Sequence, residues 1–205
     1  MPLVKRGSAA SVAGDGGDRA SHIASLHSAD AESRWRAARA LGGSAQAVPA
    51  LASALAEEAV PRVREAIMTA LIRIGDEASV KALLPYLRSE DAGQRAAAIE
   101  ALQSLPDVIS PFMTSLLADD DSDVRLLATE LTRNMPAPEA TQLLSDLIER
   151  EYQPNVCAAA VDVLAEVGTH DAVPALRNCA KRFAVTPFLP FAISVAITRI
   201  LGAES

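Results

Sequence analysis

The acids of the segment DDDSDVRLLATE, residues 119–130, are the side chains of this chain whose spacing most resembles a metal site. They fall at positions one, three, five and twelve of a calcium-binding EF-hand loop: Asp119, Asp121, Asp123 and Glu130. Such a loop needs Gly at position six, where this chain has Val124. A helix rises only about 1.5 Å per residue and cannot bring the twelfth position back to the first. The segment therefore predicts a helix N-terminus rather than a calcium site.

Other residues with catalytic or metal-binding chemistry are scattered along the chain. His22 and His27 lie five residues apart, which places them on different faces of a helix, and His170 is remote from both. No phosphate-binding glycine loop and no nucleophile motif is present. Cys157 and Cys179 are expected as reduced thiols inside helices. We therefore expect no catalytic residue, no metal, no cofactor and no enzymatic activity.

The composition favours helices and an acidic surface. Half of the residues are apolar but only 3% are aromatic, and the formal net charge is −7. Nucleic-acid binding requires clustered basic residues, so this charge makes nucleic acid an improbable partner. The first residues lack the apolar core of a signal peptide, and prolines interrupt the longest uncharged stretch. We expect a cytoplasmic protein without a membrane anchor.

Helix-ending residues recur with a period of roughly 32 residues. They are Gly43, Gly75, Pro106, Pro136, Gly168 and Gly202, separated by 32, 31, 30, 32 and 34 residues. Gly tolerates the left-handed conformation after a helix, and Pro cannot continue the helical hydrogen bonds. The pattern predicts an all-α, right-handed α-solenoid of about six antiparallel helical hairpins. We expect one domain over residues 20–205, preceded by a disordered N-terminal tail over residues 1–19.

The motifs VPAL, D-x-x-x-R and A-x-A-L before Gly, as in RAARALGG and VREAIMTALIRIG, resemble HEAT repeats. The resemblance is to the short bacterial kind named after phycobilisome lyases. It implies a structural ladder that joins neighbouring repeats, formed by Asp30, Arg34, Arg64, Asp91, Arg95, Asp121 and Arg125. It also implies scaffold, adaptor or regulatory roles, and for a minority of members a part in bilin attachment. Cys157 and Phe191 stand where the last two arginines of the ladder would be.

Positions counted from the ladder arginine predict a polar ridge along the concave side of the second helices. The ridge contains Trp35, Arg39, Glu65, Thr69, Arg73, Glu100, Gln103, Glu130, Arg133, Asp162 and Glu166. It is basic toward its N-terminal end and acidic toward its C-terminal end. Because partners of solenoids commonly lie on this surface, we predict a non-enzymatic adaptor or scaffold that binds a protein or peptide with a basic segment.

Two other functions and one further surface follow from the sequence. A bilin-lyase-like subunit, or a chaperone for a tetrapyrrole cofactor, is the alternative that the family resemblance suggests. DNA binding has only Trp35, Arg36 and Arg39 in its favour. The terminal hairpin contains three phenylalanines that either fill an irregular cap or form a secondary interface, making the protein a monomer or a weak homo-oligomer: Phe183, Phe188 and Phe191.

Overall fold

The computed structural model describes residues 12–202, and within this range every regular element is a helix. The α-helices are α1 Val12–Ser25, α2 Ala31–Leu41, α3 Val48–Glu57, α4 Pro61–Ile74, α5 Glu77–Leu83, α6 Ala92–Gln103, α7 Pro106–Leu116, α8 Ser122–Leu131, α9 Ala137–Arg150, α10 Pro154–Val167, α11 Val173–Arg182 and α12 Leu189–Gly202. Short 3-10 helices cover Ala45–Ala47, Leu84–Arg88, Thr132–Asn134 and His170–Ala172. The predicted all-α fold built from helical hairpins is confirmed.

The chain divides into two compact units, one ending at Leu83 and the other beginning at Leu84. The N-terminal unit contains α1 to α5, and the C-terminal unit contains α6 to α12. In the N-terminal unit α2 packs against α4, and α3 packs against both α4 and α5. In the C-terminal unit α10 packs against α8, α9 and α12. The single domain expected over residues 20–205 stays a prediction.

The predicted disordered tail differs from the structure over part of its length. Residues 1–11 of that tail lie outside the described residues, whereas residues 12–19 belong to α1. Helix α1 packs against α2. Once a helix has nucleated, each added residue gains a backbone hydrogen bond, so the helix extends into a segment that has no apolar periodicity of its own.

The helix boundaries come from the residue types that marked the repeat. Asp30, Asp91 and Asp121 are the N-caps of α2, α6 and α8, and each side chain accepts hydrogen bonds from backbone N–H groups of the first turn. Gly75 ends α4 in the left-handed conformation, with φ of 61°. Pro106 is the first residue of α7, where a missing N–H has no cost.

Aliphatic side chains fill the interior of both units. Leu51 and Leu71 are fully buried in the N-terminal unit, as are Leu144 and Leu164 in the C-terminal unit. Burying one such side chain contributes about 1.5–3 kcal/mol. The free thiols Cys157 and Cys179 are also buried, as predicted. Among the described residues, no helix combines the length and the apolar character needed to cross a membrane.

The ladder of the repeats is built differently from the expected Asp–Arg arrangement. The aspartates cap their own helices, while Arg34 forms an ion pair with Glu58, which follows α3 of the next hairpin. Arg125 pairs in the same way with Glu151, which follows α9. Arg34 and Arg125 do join neighbouring hairpins, but through a glutamate at the end of the next first helix, whereas Arg95 donates to the carbonyls of Ser89 and Glu90 just before its own helix. Each of these aspartates bonds to the first turn of its own helix because a short side chain at the N-cap lies next to those backbone N–H groups.

The terminal hairpin places its phenylalanines in two environments. Phe183 is buried at 8% exposure, so this member of the predicted secondary interface lies in the core. Phe188 and Phe191 are 47% and 72% exposed. Cys157, at the position in α10 that corresponds to Phe191, is fully buried. The difference follows from packing, because α10 is covered by α12.

Candidate functional site

An open cleft in the N-terminal unit brings together the basic part of the predicted ridge. Its volume is about 320 Å³, and it is lined by Trp35, Arg39, Arg62, Glu65, Ala66, Thr69, Ala70 and Arg73. We call it the Trp35 cleft. Five of these eight residues are predicted ridge residues, and the structure brings them to one surface; their role in partner binding stays a prediction.

Helices α2 and α4 supply the walls of the Trp35 cleft, and small side chains supply its floor. Trp35 and Arg39 lie one turn apart on α2 and therefore project from the same face. The lining residues of α4 recur every three or four positions, from its first turn to its last. Ala66 and Ala70 are buried beneath them. Their short side chains leave the cleft open between the longer residues of the two helices.

The indole of Trp35 is in contact with two guanidinium groups. The Arg39 Cζ atom lies 4.6 Å from the ring centroid, and the Arg62 Cζ atom lies 4.4 Å from it. Both distances are typical of cation–π interactions, each worth about 0.5–1 kcal/mol at an exposed site. Arg62 also pairs with Glu32 at 3.2 Å. The aromatic ring and the arginines are thus held together in one group.

Gly42 shapes the end of the cleft at the C-terminus of α2. A Cβ atom placed on Gly42 would lie 3.2 Å from Arg73 Cδ and 3.4 Å from Ala70 Cα. The missing side chain therefore leaves room for the Arg73 side chain beside this end of α2. Arg39 lies in the last turn of α2. The Arg39 guanidinium itself lies over the Trp35 ring, and Arg73 lines the cleft beside Gly42.

The Trp35 cleft has an excess of positive charge. Three arginines line it and Glu65 is its single acid. Within residues 12–202, neither Arg39 nor Arg73 forms an ion pair, and the acid that pairs with Arg62 is shared with Arg36. Two guanidinium groups are therefore available to a ligand. The cleft offers a flat aromatic surface, forked cationic donors and one carboxylate acceptor.

The acidic part of the predicted ridge forms a separate cluster in the C-terminal unit. Arg133 Nη2 lies 3.0 Å from Glu130 Oε2 and 3.2 Å from Asp162 Oδ2, and Arg133 also pairs with Glu166. The hydrogen bond that Arg133 donates to Glu166 raises the pKa of the guanidinium, against the effect of burial and together with the bonds to Glu130 and Asp162. Gln103 Nε2 donates to the Glu130 carbonyl at 2.8 Å. We call these side chains the Arg133 cluster.

The Trp35 cleft and the Arg133 cluster differ from the predicted ridge in which charged side chains are left to face a partner. Two of the acids expected to face a basic partner, Glu130 and Asp162, already share Arg133 with Glu166, although three carboxylates to one guanidinium leave a net negative charge. Glu100 is exposed and outside the Arg133 cluster. Arg62 was missed by the sequence reasoning. Its signal was the position three residues before Glu65, one turn earlier on the same face of α4.

The acids with EF-hand spacing have structural partners. Asp121 caps α8, Asp119 pairs with Arg88, and Glu130 belongs to the Arg133 cluster. Val124 is buried in the first turn of α8, so the segment is helical where a calcium loop would turn. The predicted helix N-terminus is confirmed. Among residues 12–202 no group of three metal-binding side chains could hold an ion.

Comparison with known proteins identifies a matching family and two individual relatives. The family model described as HEAT repeats matches residues 21–103 and 109–183. The bilin biosynthesis protein PecE of Nostoc sp. (strain PCC 7120 / SAG 25.82 / UTEX 2576) is 47% identical over 74 residues, which are 35% of this chain and 29% of that protein. PecE of Mastigocladus laminosus is also 47% identical over 74 residues, covering 35% and 28%. The matched region is thus less than a third of either relative.

A solved structure supports the fold. The archaeal HEAT-like repeats protein from Thermococcus onnurineus NA1 superposes with a TM-score of 0.52 at 16% identity, covering 94% of this chain and 90% of that one. At this identity the similarity concerns the fold alone.

The expectation of a protein without enzymatic activity is wrong, because the curated relatives are bilin biosynthesis proteins, which act in a synthetic process. The expected resemblance to the phycobilisome-lyase type of repeat is confirmed by the same relatives. With its family model matched over most of its length, this chain belongs to the HEAT repeat family.

Proposed function

We propose that this chain is a subunit of a bilin-lyase-type enzyme and binds an open-chain tetrapyrrole together with a companion protein. The observation that carries the proposal is the 47% identity over 74 residues to two bilin biosynthesis proteins. The chemistry of the Trp35 cleft supports it. A bilin is a conjugated chain of four pyrrole-type rings with two propionate groups, and the cleft combines an aromatic ring with arginines.

The size of the Trp35 cleft supports a companion. Sites that enclose a ligand of drug size are about 300–1,000 Å³ and bury most of its surface. The cleft is near the lower end at about 320 Å³ and opens to solvent. It therefore holds part of a tetrapyrrole, and we propose that a companion chain covers the rest.

A protein partner with a basic segment is the second part of the proposal. The Arg133 cluster supports it because three acids outnumber one arginine, and the Asp162 side chain is 67% exposed. Glu100 adds another exposed carboxylate in the same unit. Such a surface attracts a basic segment and orients it on approach. Reversing the charges of Glu100, Glu130 and Asp162 should then weaken capture of the companion, and unchanged capture would remove this surface from the proposal.

The first test is a titration of the purified chain with biliverdin. Binding should change the shape of the visible absorption spectrum and induce visible circular dichroism, because the protein fixes one conformation of a flexible chromophore. The same chain unfolded in urea is the control for non-specific adsorption. Spectra that remain the sum of protein and free biliverdin, at concentrations up to the solubility limit of the pigment, would contradict the proposed function.

A further inference from the structure

We infer that the Trp35 cleft is the tetrapyrrole site of this chain, and that it selects its ligand through the carboxylates. Arg39 and Arg73 bind the propionate groups, the indole of Trp35 stacks on the conjugated rings, and Glu65 accepts hydrogen bonds from pyrrole N–H groups. This inference rests on the proposed function and adds to it the role of each side chain of the cleft and the basis of selectivity.

The unpaired arginines indicate an anionic ligand. Arg39 and Arg73 both line the Trp35 cleft, and no acid within residues 12–202 pairs with either. Like charges that line one cleft repel one another, and the repulsion grows as solvent is excluded. A ligand with two carboxylates removes it, and a planar guanidinium can bind each carboxylate with two parallel hydrogen bonds. The two propionates of one tetrapyrrole match the two arginines.

The indole indicates that the ligand is also flat. Arg39 and Arg62 both lie over the Trp35 ring. When Arg39 turns toward a carboxylate, it leaves part of the ring uncovered. Stacking of a conjugated ring on that surface then replaces the cation–π contact. The same arginine thus links recognition of the charge to recognition of the ring.

Glu65 indicates the polar groups of the ligand. It is the single acid lining the Trp35 cleft, and within the described residues no hydrogen bond or ion pair of its side chain is seen. A purely anionic ligand would be repelled by it. Pyrrole N–H groups donate hydrogen bonds that a carboxylate can accept. A molecule with a conjugated plane, two carboxylates and several N–H donors offers a partner to the indole, to both unpaired arginines and to the carboxylate of the cleft, and a linear tetrapyrrole is such a molecule.

Trp35 is the single tryptophan of the chain and reports directly on the cleft. Its fluorescence is measured during titration with biliverdin and with biliverdin dimethyl ester, which keeps the conjugated rings but loses both charges. The variants are the double substitution Arg39→Gln, Arg73→Gln and the matched control Arg36→Gln. Arg36 is an exposed neighbour on α2 that does not line the cleft.

Biliverdin should quench Trp35 in the wild type and in Arg36→Gln with the same Kd. The double variant should bind biliverdin about 10- to 100-fold more weakly, since each charge-assisted contact is worth roughly tenfold in affinity. The ester should bind the wild type as weakly as biliverdin binds the double variant. Because Arg39 and Arg73 are exposed, all three proteins should melt at similar temperatures. The variant Arg39→Lys, Arg73→Lys keeps both positive charges and should recover part of the affinity, which separates a loss of charge from a loss of folding.

Equal biliverdin affinity in the double variant and the wild type would overturn the inference and leave the proposed function standing. Equal affinity of the wild type for biliverdin and its ester would overturn recognition through the carboxylates. Absence of any biliverdin-dependent change in the wild type would overturn the inference together with the proposed function.

Discussion

Arg34 and Glu58 form a forked ion pair between two consecutive hairpins. Arg34 Nε donates to Glu58 Oε2 at 2.7 Å, and Nη2 donates to Oε1 at 2.9 Å. The second η nitrogen of Arg34 donates to the carbonyls of Ser28 and Ala29. The Glu58 side chain is only 4% exposed. The contact thus fixes the loop before α2, the helix α2 and the end of the next first helix.

The same arrangement recurs at Arg125 and Glu151. Arg125 Nε lies 2.6 Å from Glu151 Oε2, and Arg125 Nη1 donates to the carbonyls of Asp119 and Asp120. Glu151 additionally accepts from the N–H groups of Tyr152 and Gln153. The same geometry thus joins consecutive hairpins once in each unit. Arg95 keeps only the bonds to its own loop, to the carbonyls of Ser89 and Glu90.

Replacement of Glu151 should destabilise the protein. Glu151→Gln removes the negative charge that faces the largely buried Arg125 and replaces one of the two carboxylate oxygens by an amide NH2 group, which cannot accept. We expect the free energy of unfolding to fall by roughly 2 kcal/mol, measured by urea denaturation. The control Glu149→Gln changes an exposed acid nearby and should have little effect. Equal stabilities of the two variants would show that the pair does not hold the hairpins together.

The two pairs predict a loss of stability in acid. The hydrogen bond from Arg34 lowers the pKa of Glu58; burial would raise the pKa of Glu151, but the bonds from Arg125 and Gln153 lower it overall. A carboxyl with a lowered folded pKa contributes its full stability above its ordinary value of 4.5 and loses it as the pH falls through the folded pKa.

This pH effect can be measured from the urea midpoint between pH 6 and pH 3. The wild type should lose stability more steeply below about pH 4.5 than Glu58→Gln, Glu151→Gln, because the variant has no carboxyl to protonate at these positions. The stability difference between the two proteins should shrink over that range. Parallel curves would mean that neither glutamate has a lowered pKa in the folded state.

The fold could be predicted because the residues that begin and end its helices act locally. Asp121 and Gly75 act on the backbone of their own helix ends, so single residue types reveal the boundaries. Contacts between hairpins are different. Glu58 is 24 residues from Arg34 and Arg133 is 29 residues before Asp162, and many exposed acids and bases compete for such pairings in a sequence. The register showed which residues share a face, but it did not show which charges neutralise each other.

Asp121 should behave as a helix cap and not as a calcium ligand. Asp121→Ala removes the acceptor for the Asp123 N–H group and should lower the free energy of unfolding by about 1 kcal/mol. Asp120→Ala, whose exposed side chain does not cap α8, is the matched control. Millimolar calcium should leave the melting temperature of all three proteins unchanged. A calcium-dependent rise that Asp121→Ala abolishes would restore the metal-site interpretation.

Arg133 should stabilise the C-terminal unit by screening acids from one another. Arg133→Ala leaves Glu130, Asp162 and Glu166 without the guanidinium they share, and we expect a loss of about 1–2 kcal/mol. Because the remaining repulsion is between partly exposed charges, 0.5 M salt should recover part of the loss. Arg199→Ala, at an exposed position on α12, should show neither effect. A loss that salt does not change would assign the role of Arg133 to packing.

Two adjacent glycines allow ligand binding and stability to be separated. Gly42 has a φ of −63°, which any residue adopts, but a Cβ there would lie 3.2 Å from Arg73 Cδ. Gly43 has a φ of 113° and open space around the position of its Cβ. Gly42→Ala should therefore displace Arg73 and weaken biliverdin binding several-fold, with little change in stability. Gly43→Ala should cost about 1 kcal/mol or more through backbone strain and leave the affinity unchanged.

Trp35 quenching and urea denaturation of the two variants check this separation. Because the residues are neighbours and both substitutions add one methyl group, each variant is the control for the other. If Gly42→Ala bound biliverdin like the wild type, Arg73 would not be needed where the structure places it. If Gly43→Ala lost binding as well as stability, the Trp35 cleft would depend on the turn after α2 rather than on its own side chains.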